Sequence, residues 1–225
     1  MKLKTKFRTL KKIYHISDIQ IRNLKRHKEY EQVFENLYKF ISKDTENAAI
    51  YIGGDIAHSK TDMSPELVDQ LSRLFKRLSN LAPTLLIAGN HDCNLNNSSR
   101  LDVLQPIVNN IQNENLHYLN ETGVYYLADV AFAVLEVRDS VANLPDPKTI
   151  NSDTKILLYH GTVDKSQTDL GFRLQSSMKL KDFNGYDMVL LGDIHKMQTM
   201  QEYKQGRVTK PVVRYCGSLV QQNHG

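Results

Sequence analysis

The chain has 225 residues, 40% hydrophobic and 24% charged, the balance of a globular protein rather than a disordered or fibrous one. At that length one α/β domain is expected, with a core burying roughly 70–75% of its unfolded surface. No apolar run approaches the roughly 20 residues that span a bilayer, and the basic N-terminus lacks a signal peptide's apolar stretch, so an intracellular location is the default expectation. Cys93 and Cys216 are the only cysteines; they have no metal-binding spacing and are expected to stay reduced. The net charge of +4 is unevenly spread. Residues 1–12 carry Lys2, Lys4, Lys6, Arg8, Lys11 and Lys12 and no acid, and read as a basic N-terminal extension. A second cluster runs Arg22, Lys25, Arg26, His27, Lys28. Concentrated positive charge suits a polyanionic partner.

In chain order, an apolar strand over 13–17 runs into Asp18. Tyr30, Val33, Phe34, Leu37 and Ile41 recur at helical spacing and predict a helix over 28–42. Residues 48–52 predict a second strand, ending in Gly53-Gly54-Asp55. Ser64-Pro65-Glu66 is a helix start, with a capping serine, proline in the first turn and an acid behind it. Leu67, Leu71, Leu74, Phe75 and Leu78 supply that helix's buried face. A third strand over 84–88 ends in Gly89-Asn90-His91-Asp92. Residues 124–127 and 130–137 flank Ala128-Asp129 and predict a hairpin. Strands over 155–159, 188–191 and 212–215 follow, ending at His160-Gly161, at Gly192-Asp193-Ile194-His195 and at Cys216-Gly217-Ser218. Continuous Ile/Leu/Val strands are usually covered on both faces, so a layered sheet sandwich with helices outside is expected.

Five strand ends therefore carry polar clusters of metal-ligand type: Asp18-x-Gln20, Gly54-Asp55, Gly89-Asn90-His91-Asp92, His160-Gly161 and Asp193-x-His195. Groups beyond the carboxyl ends of strands converge on one rim, where α/β proteins place their sites. Glycines before Asp55, Asn90 and Asp193 let the backbone turn sharply there. Carboxylates, an amide oxygen and imidazoles suit Mn, Fe, Zn or Mg. Two such ions about 3.5–4 Å apart, bridged by a carboxylate, clamp a phosphate and activate a water, and a nearby His can protonate the leaving oxygen.

These motifs resemble the calcineurin-like metallophosphoesterase signature of D-x-H, GD, GNHD, H and GHxH, over nearly the whole chain. Gly54-Asp55-Ile56-Ala57-His58-Ser59 and the stretch Gly217-Ser218-Leu219-Val220-Gln221 are similar to the GD-x-x-H-S and GS motifs of the SbcD and meiotic-recombination-eleven nucleases. The segments around His160 and Asp193 resemble phage- and virus-encoded members. The resemblance implies a single-domain, four-layer α-β-β-α sandwich over 13–225. It places Asp18, Gln20, Asp55 and His195 around a first metal and Asp55, Asn90, His160 and Asp193 around a second, with Asp55 bridging. His91 is implied as proton donor or transition-state stabiliser, Asp92 as the group orienting it, and His58 as an aid in placing the DNA backbone. The implied activity is a manganese-dependent 3′–5′ exonuclease and single-strand endonuclease in double-strand-break repair, with magnesium, iron or zinc as alternative metals. Arg22, Lys25, Arg26 and Lys28, following the first strand directly, are expected to border the metal rim and meet DNA.

The sequence departs from the family at three points. Gln20 stands where the family has the His of D-x-H, which is expected to weaken the first site. Asp193 stands where it has the first His of GHxH and remains a good hard ligand. The family's small capping domain and its helical segment for docking an SbcC-type ATPase are expected to be missing from a chain ending at Gly225; a homodimer through helices of the nuclease domain stays open. Two other readings compete, because fold does not fix substrate. One is a generic phosphomonoesterase or cyclic-nucleotide phosphodiesterase; the other is a metal-weakened, non-catalytic DNA-binding scaffold.

Overall fold

Each long apolar strand of the sequence has two buried faces, and a computed structural model shows what covers them. It describes residues 1–201 and 211–222; the terminal Gly225 of the expected domain lies outside them. The chain runs through β1 (Lys12–Ile16), α1 (His27–Ile41), β2 (Ala48–Ile52), α2 (Pro65–Leu81), β3 (Thr84–Leu86), α3 (Leu104–Asn109) and β4 (Leu116–Tyr118). It continues through β5 (Gly123–Leu127), β6 (Val130–Leu135), β7 (Thr154–His160), β8 (Met188–Gly192), β9 (Gln198–Gln201) and β10 (Val212–Tyr215). The first four strands form a parallel sheet in the order β1-β2-β3-β4. The rest form a mixed sheet in the order β5-β6-β7-β8-β10-β9.

Period-two alternation sorts side chains between three apolar layers. In β2, Ile50 and Ile52 pack under the helices, while Ala49 and Tyr51 point between the sheets. In β6, Val130, Phe132 and Val134 meet them there, while Ala131, Ala133 and Leu135 face the opposite side. The helical layer is held by Tyr30, Phe34, Tyr38 and Ile41 of α1 and Leu67, Leu71, Leu74, Phe75 and Leu78 of α2. Ser64 caps α2 by accepting the N–H of Leu67 at 3.3 Å, which fixes that helix where the sequence started it.

The sandwich is layered as expected, but its fourth layer is not built from α-helices among the described residues. Three 3₁₀ turns, Val141–Asn143, Pro147–Thr149 and Leu180–Phe183, and their loops cover that face. The N-terminal extension is integrated at its start. Leu3 is buried between the sheets and donates its N–H to Tyr126 O at 2.8 Å, so residues 1–3 run along β5 and shield the edge of the second sheet. The strands over 84–88 and 130–137 stop earlier, at Leu86 and Leu135.

Candidate metal centre

The two sheets meet at one rim, and the sharp turns after their strands aim the polar groups inward. Asp18 (φ 52°), Gln20 (φ 46°), Asp55 (φ 51°) and Asp193 (φ 101°) all take positive φ. Such backbone is uncommon outside glycine and costs of order 1–3 kcal/mol per residue, so it persists only where surrounding structure enforces it. Here the turns are tied to one another: Asp18 N–H donates to Gly54 O at 3.1 Å and Gln20 N–H to Asp55 O at 2.9 Å. Gly54 (φ 90°) admits no side chain, because a Cβ there would lie 2.6 Å from His160 Nδ1 and 2.8 Å from Gly89 N.

Asp18, Asp55 and His160 form the innermost group, all buried, with one ligand atom of each within 4.8 Å of the others. His160 Nδ1 lies 2.7 Å from Gly53 O. Its Nε2 points at Asp55 Oδ1, 3.3 Å away, and at Asn90 Oδ1, 3.0 Å away. Burial alone would strip the imidazole of its proton, but Asp55, then Asp18 and Asp193, reverse this and push it up to about 10. Burial also raises the Asp18 carboxyl against the pull of His160. Asp55 is held below its ordinary range: burial would raise it, and the charge and hydrogen bond of His160 and the N–H of His91 outweigh that. Buried carboxylates are costly unless a cation compensates them. Hard oxygen and imidazole donors converging on buried negative charge fit a divalent cation.

The remaining expected ligands lie around this group. Asp193 accepts from the Thr162 hydroxyl at 2.6 Å, and its N–H donates to both Asp18 carboxylate oxygens, at 3.1 and 3.2 Å. His195 Nε2 is 4.0 Å from Asp18 Oδ1. Gln20 points inward: its Nε2 is 3.5 Å from Asp55 Oδ2 and 3.2 Å from His195 Nε2, and its Oε1 is 3.4 Å from His58 Nδ1. Turning the amide by 180° would present Oε1 to the carboxylate side instead. His91 and His58 stack at the open side, centroids 5.7 Å apart, and His91 Nε2 is 3.8 Å from Asp55 Oδ2.

One expected role is corrected by this geometry. Asp92 does not orient His91: its buried carboxylate accepts the N–H groups of Ile56 and Ala57 at 3.0 and 2.9 Å and of Gly89 at 2.9 Å. It braces the two loops that present Asp55 and Asn90. His91 Nδ1 instead lies 2.8 Å from the His58 carbonyl. Arg26, expected to meet DNA, also has partners within the chain. It pairs with Glu29, its Nε 2.7 Å from Oε2, and donates to Gln221 O at 2.9 Å, fastening the start of α1 to the chain after β10.

Two other basic residues of that loop, Arg22 and Lys25, act electrostatically on His58 at the rim. A parallel bridge joins Ile21 to Ala57, and His58 N–H donates to Ile21 O at 3.0 Å. Burial, then Arg22 and the neighbouring His91, depress the basicity of His58, with Lys25 adding to the effect. The Nε of Arg22 is buried and has no hydrogen-bond partner among the described residues. Lys25 and Lys28 stand exposed, on the loop and in the first turn of α1. The glycine–serine stretch lies beneath the site, where Ser218 N–H donates to His195 O at 3.1 Å and Leu219 N–H to Ser17 O at 3.1 Å. Thr162 and Lys60, whose ammonium donates to Asn90 O at 3.1 Å, were not read from the sequence. Their signal was nearness to His160 and His58 in the chain, which by itself does not separate them from ordinary loop residues.

Residues 11–197 match the model of the calcineurin-like phosphoesterases. An uncharacterized protein of Acanthamoeba polyphaga mimivirus is 42% identical over 228 residues, covering 96% of this chain. The chain spans 16% of that protein's length. Among solved structures, the Pseudomonas putida nuclease MPE overlaps 72% of this chain and 67% of its own, at 16% identity and a TM-score of 0.37. That overlap is too loose to bear on activity.

Proposed function

The chain belongs to the calcineurin-like phosphoesterase family, and from that premise we propose that it is a metal-dependent DNA nuclease, a 3′–5′ exonuclease and single-strand endonuclease of the SbcD type. The observation that carries this reading is the bridge between Ile21 and Ala57, which sets the basic loop of Arg22 and Lys25 beside His58 and the carboxylate cluster. A phosphodiester backbone has charge on both sides of its scissile bond, so cations beside the rim favour a strand over a small phosphate ester.

In this reading Asp18, Gln20, Asp55 and His195 hold one divalent ion, and Asp55, Asn90, His160 and Asp193 a second, with manganese first among the candidates. When bound, the ions supply Lewis-acid polarisation of the phosphate and activation of the attacking water. The chain's own residues do the rest. Asp92 keeps the Asp55 and Asn90 loops in register, and Thr162 orients Asp193. His91 faces the open side, where it donates a proton to the leaving oxygen, and Arg22 and Lys25 hold the flanking phosphates. An SbcC-type ATPase partner, a homodimer, a role in DNA repair and an intracellular site of action belong to the same proposal and rest on the GD-x-x-H-S and GS resemblance.

The test compares manganese-dependent hydrolysis of single-stranded DNA with that of bis(p-nitrophenyl) phosphate. Preference for the strand, lost selectively when Arg22, Lys25 and Lys28 become Gln, supports the nuclease. Equal turnover of both, untouched by those changes, makes the chain a generic phosphodiesterase; strand binding without hydrolysis makes it a scaffold.

A further inference from the structure

Between β7 and the last 3₁₀ turn, the chain throws out a small hairpin that the metal chemistry does not use. Lys165 N–H donates to Leu174 O at 2.9 Å and Leu174 N–H to Ser166 O at 2.8 Å, and Gln167 bridges to Arg173. Gly171 (φ 82°) closes the tip, and Thr168 fixes it further: its N–H donates to Phe172 O at 3.0 Å and its hydroxyl accepts the Phe172 N–H at 3.2 Å. The base is pinned to β9 by Gln198, whose Oε1 accepts from Gln167 N at 3.0 Å and whose amide donates to Gln167 O at 2.8 Å. This tied-down tip presents Leu170 at 84% and Phe172 at 67% exposure. Two large apolar groups held exposed side by side on a hydrogen-bonded hairpin, beside a cavity, mark a candidate binding face.

The hairpin walls a cavity of about 430 Å³ whose other side is Asp193, Ile194 and His195, the segment carrying two candidate metal ligands. Among the described residues no lysine or arginine lines it, while Asp169 and Asp193 do, so it disfavours another phosphate and suits an uncharged flat group. We propose that Phe172 is a stacking platform for the nucleobase adjoining the scissile phosphate, with Leu170 and Leu174 completing the apolar wall. The inference rests on the nuclease reading and adds a base-binding subsite to it. Stacking on an aromatic face is sequence-tolerant because every base has a π-face, so the subsite confers a requirement for a base without a preference among bases.

The test measures manganese-dependent kcat/KM on a short oligothymidylate and on the same strand built from abasic tetrahydrofuran units. The wild type is expected to prefer the strand with bases. Phe172→Ala should lower kcat/KM on oligothymidylate roughly 5- to 100-fold, the size of one lost stack, and leave the abasic strand unchanged; Phe172→Trp should restore the preference. Equal loss on both strands, no loss on either, or a change of sedimentation with no change of preference would overturn the subsite, the last by making this face a contact between protein copies. A wild type that hydrolyses bis(p-nitrophenyl) phosphate but neither strand overturns the nuclease reading itself, and the subsite with it.

Discussion

The backbone N–H of Asp193 donates to both carboxylate oxygens of Asp18, at 3.1 and 3.2 Å. This bond joins the turn after β8 in one sheet to the turn after β1 in the other. His160 repeats the crossing, from β7 to the Gly53 carbonyl after β2. The candidate centre is therefore a seam between sheets, and its side chains both hold the seam and line the rim. Substitutions that keep shape are needed to separate the two effects.

Asp55→Asn is the cleanest of these. The amide keeps an oxygen for the N–H of His91 and fills the same volume, but removes the charge shared with His160. Metal-dependent hydrolysis is expected to vanish, with the circular dichroism of the metal-free protein close to wild type. Turnover retained at wild-type metal content would rule out Asp55 as the bridging ligand.

His91→Ala should keep both ions and DNA binding. The imidazole is half-exposed on the open side and contributes no packing to the core. Its loss is expected to cost roughly 10²–10⁴ in rate, as removal of a general acid does. Metal content measured alongside decides the role: a variant that also loses an ion makes His91 a ligand.

Asp92→Asn tests the bracing role. Burial and the neighbouring Asp55 push the Asp92 carboxyl up to about 7, so the comparison belongs near pH 8, where the carboxylate is ionised. The amide nitrogen cannot accept, so at least one of the N–H groups of Ile56, Ala57 and Gly89 loses its partner. A buried unpaired donor costs about 1–3 kcal/mol, which urea denaturation should register, together with weaker metal binding. Unchanged stability with a selective loss of rate would instead restore Asp92 as a catalytic partner.

His15 gives the fold a pH dependence of its own. It stacks on Tyr51 at 5.0 Å, its Nε2 is buried without a partner among the described residues, and burial with the charge of Arg214 depresses it to about 3. The folded pKa lies below the unfolded value of 6.5, so the unfolded chain binds the extra proton. Stability from a neutral His15 is complete above 6.5 and drains away as pH falls toward 3, at up to about 1.4 kcal/mol per pH unit. His15→Phe keeps a ring on Tyr51 and removes the titration. Denaturation from pH 7 to 5 should show the variant gaining on wild type by about 2 kcal/mol; parallel curves would mean that His15 protonates freely in the fold.

Much of the centre was legible because its residues follow apolar strands directly, where a polar group has no packing reason to sit. Asp18, Asp55, Asn90, His160 and Asp193 all announce themselves this way. The two long helices were equally plain: the helix predicted over 28–42 is His27–Ile41, and Ser64-Pro65 marks the start of the other. What escaped was short or depended on contacts between distant loops. α3 and β4 have six and three residues, too few for a period to show. The outer face of the second sheet is covered by 3₁₀ turns, which carry no repeating apolar pattern. Nothing in the run Asn90-His91-Asp92 reveals that Asp92 turns back onto Ile56, and nothing in a basic cluster separates Arg26, spent on Glu29 and Gln221, from its neighbours.

Gln20 is the departure from the family with the most to say about activity. Its side chain is buried and points into the cluster, within reach of Asp55, His58 and His195, so it has not turned away to leave its place to water. An amide oxygen completes an oxygen-rich shell for manganese or magnesium, but it is neutral and donates less strongly than imidazole. The other proposed site would keep two carboxylates, Asn90 and the buried His160. Unequal affinity is therefore expected: the site of Asp55, Asn90, His160 and Asp193 fills first, and activity climbs at higher manganese as the site of Gln20 fills. Gln20→His should lower the manganese needed for half-maximal activity. A manganese titration of both proteins, with binding followed by calorimetry, measures the difference. Two binding steps in wild type that draw together in the variant support a weakened site, and coincident activity curves would show that the amide is no handicap.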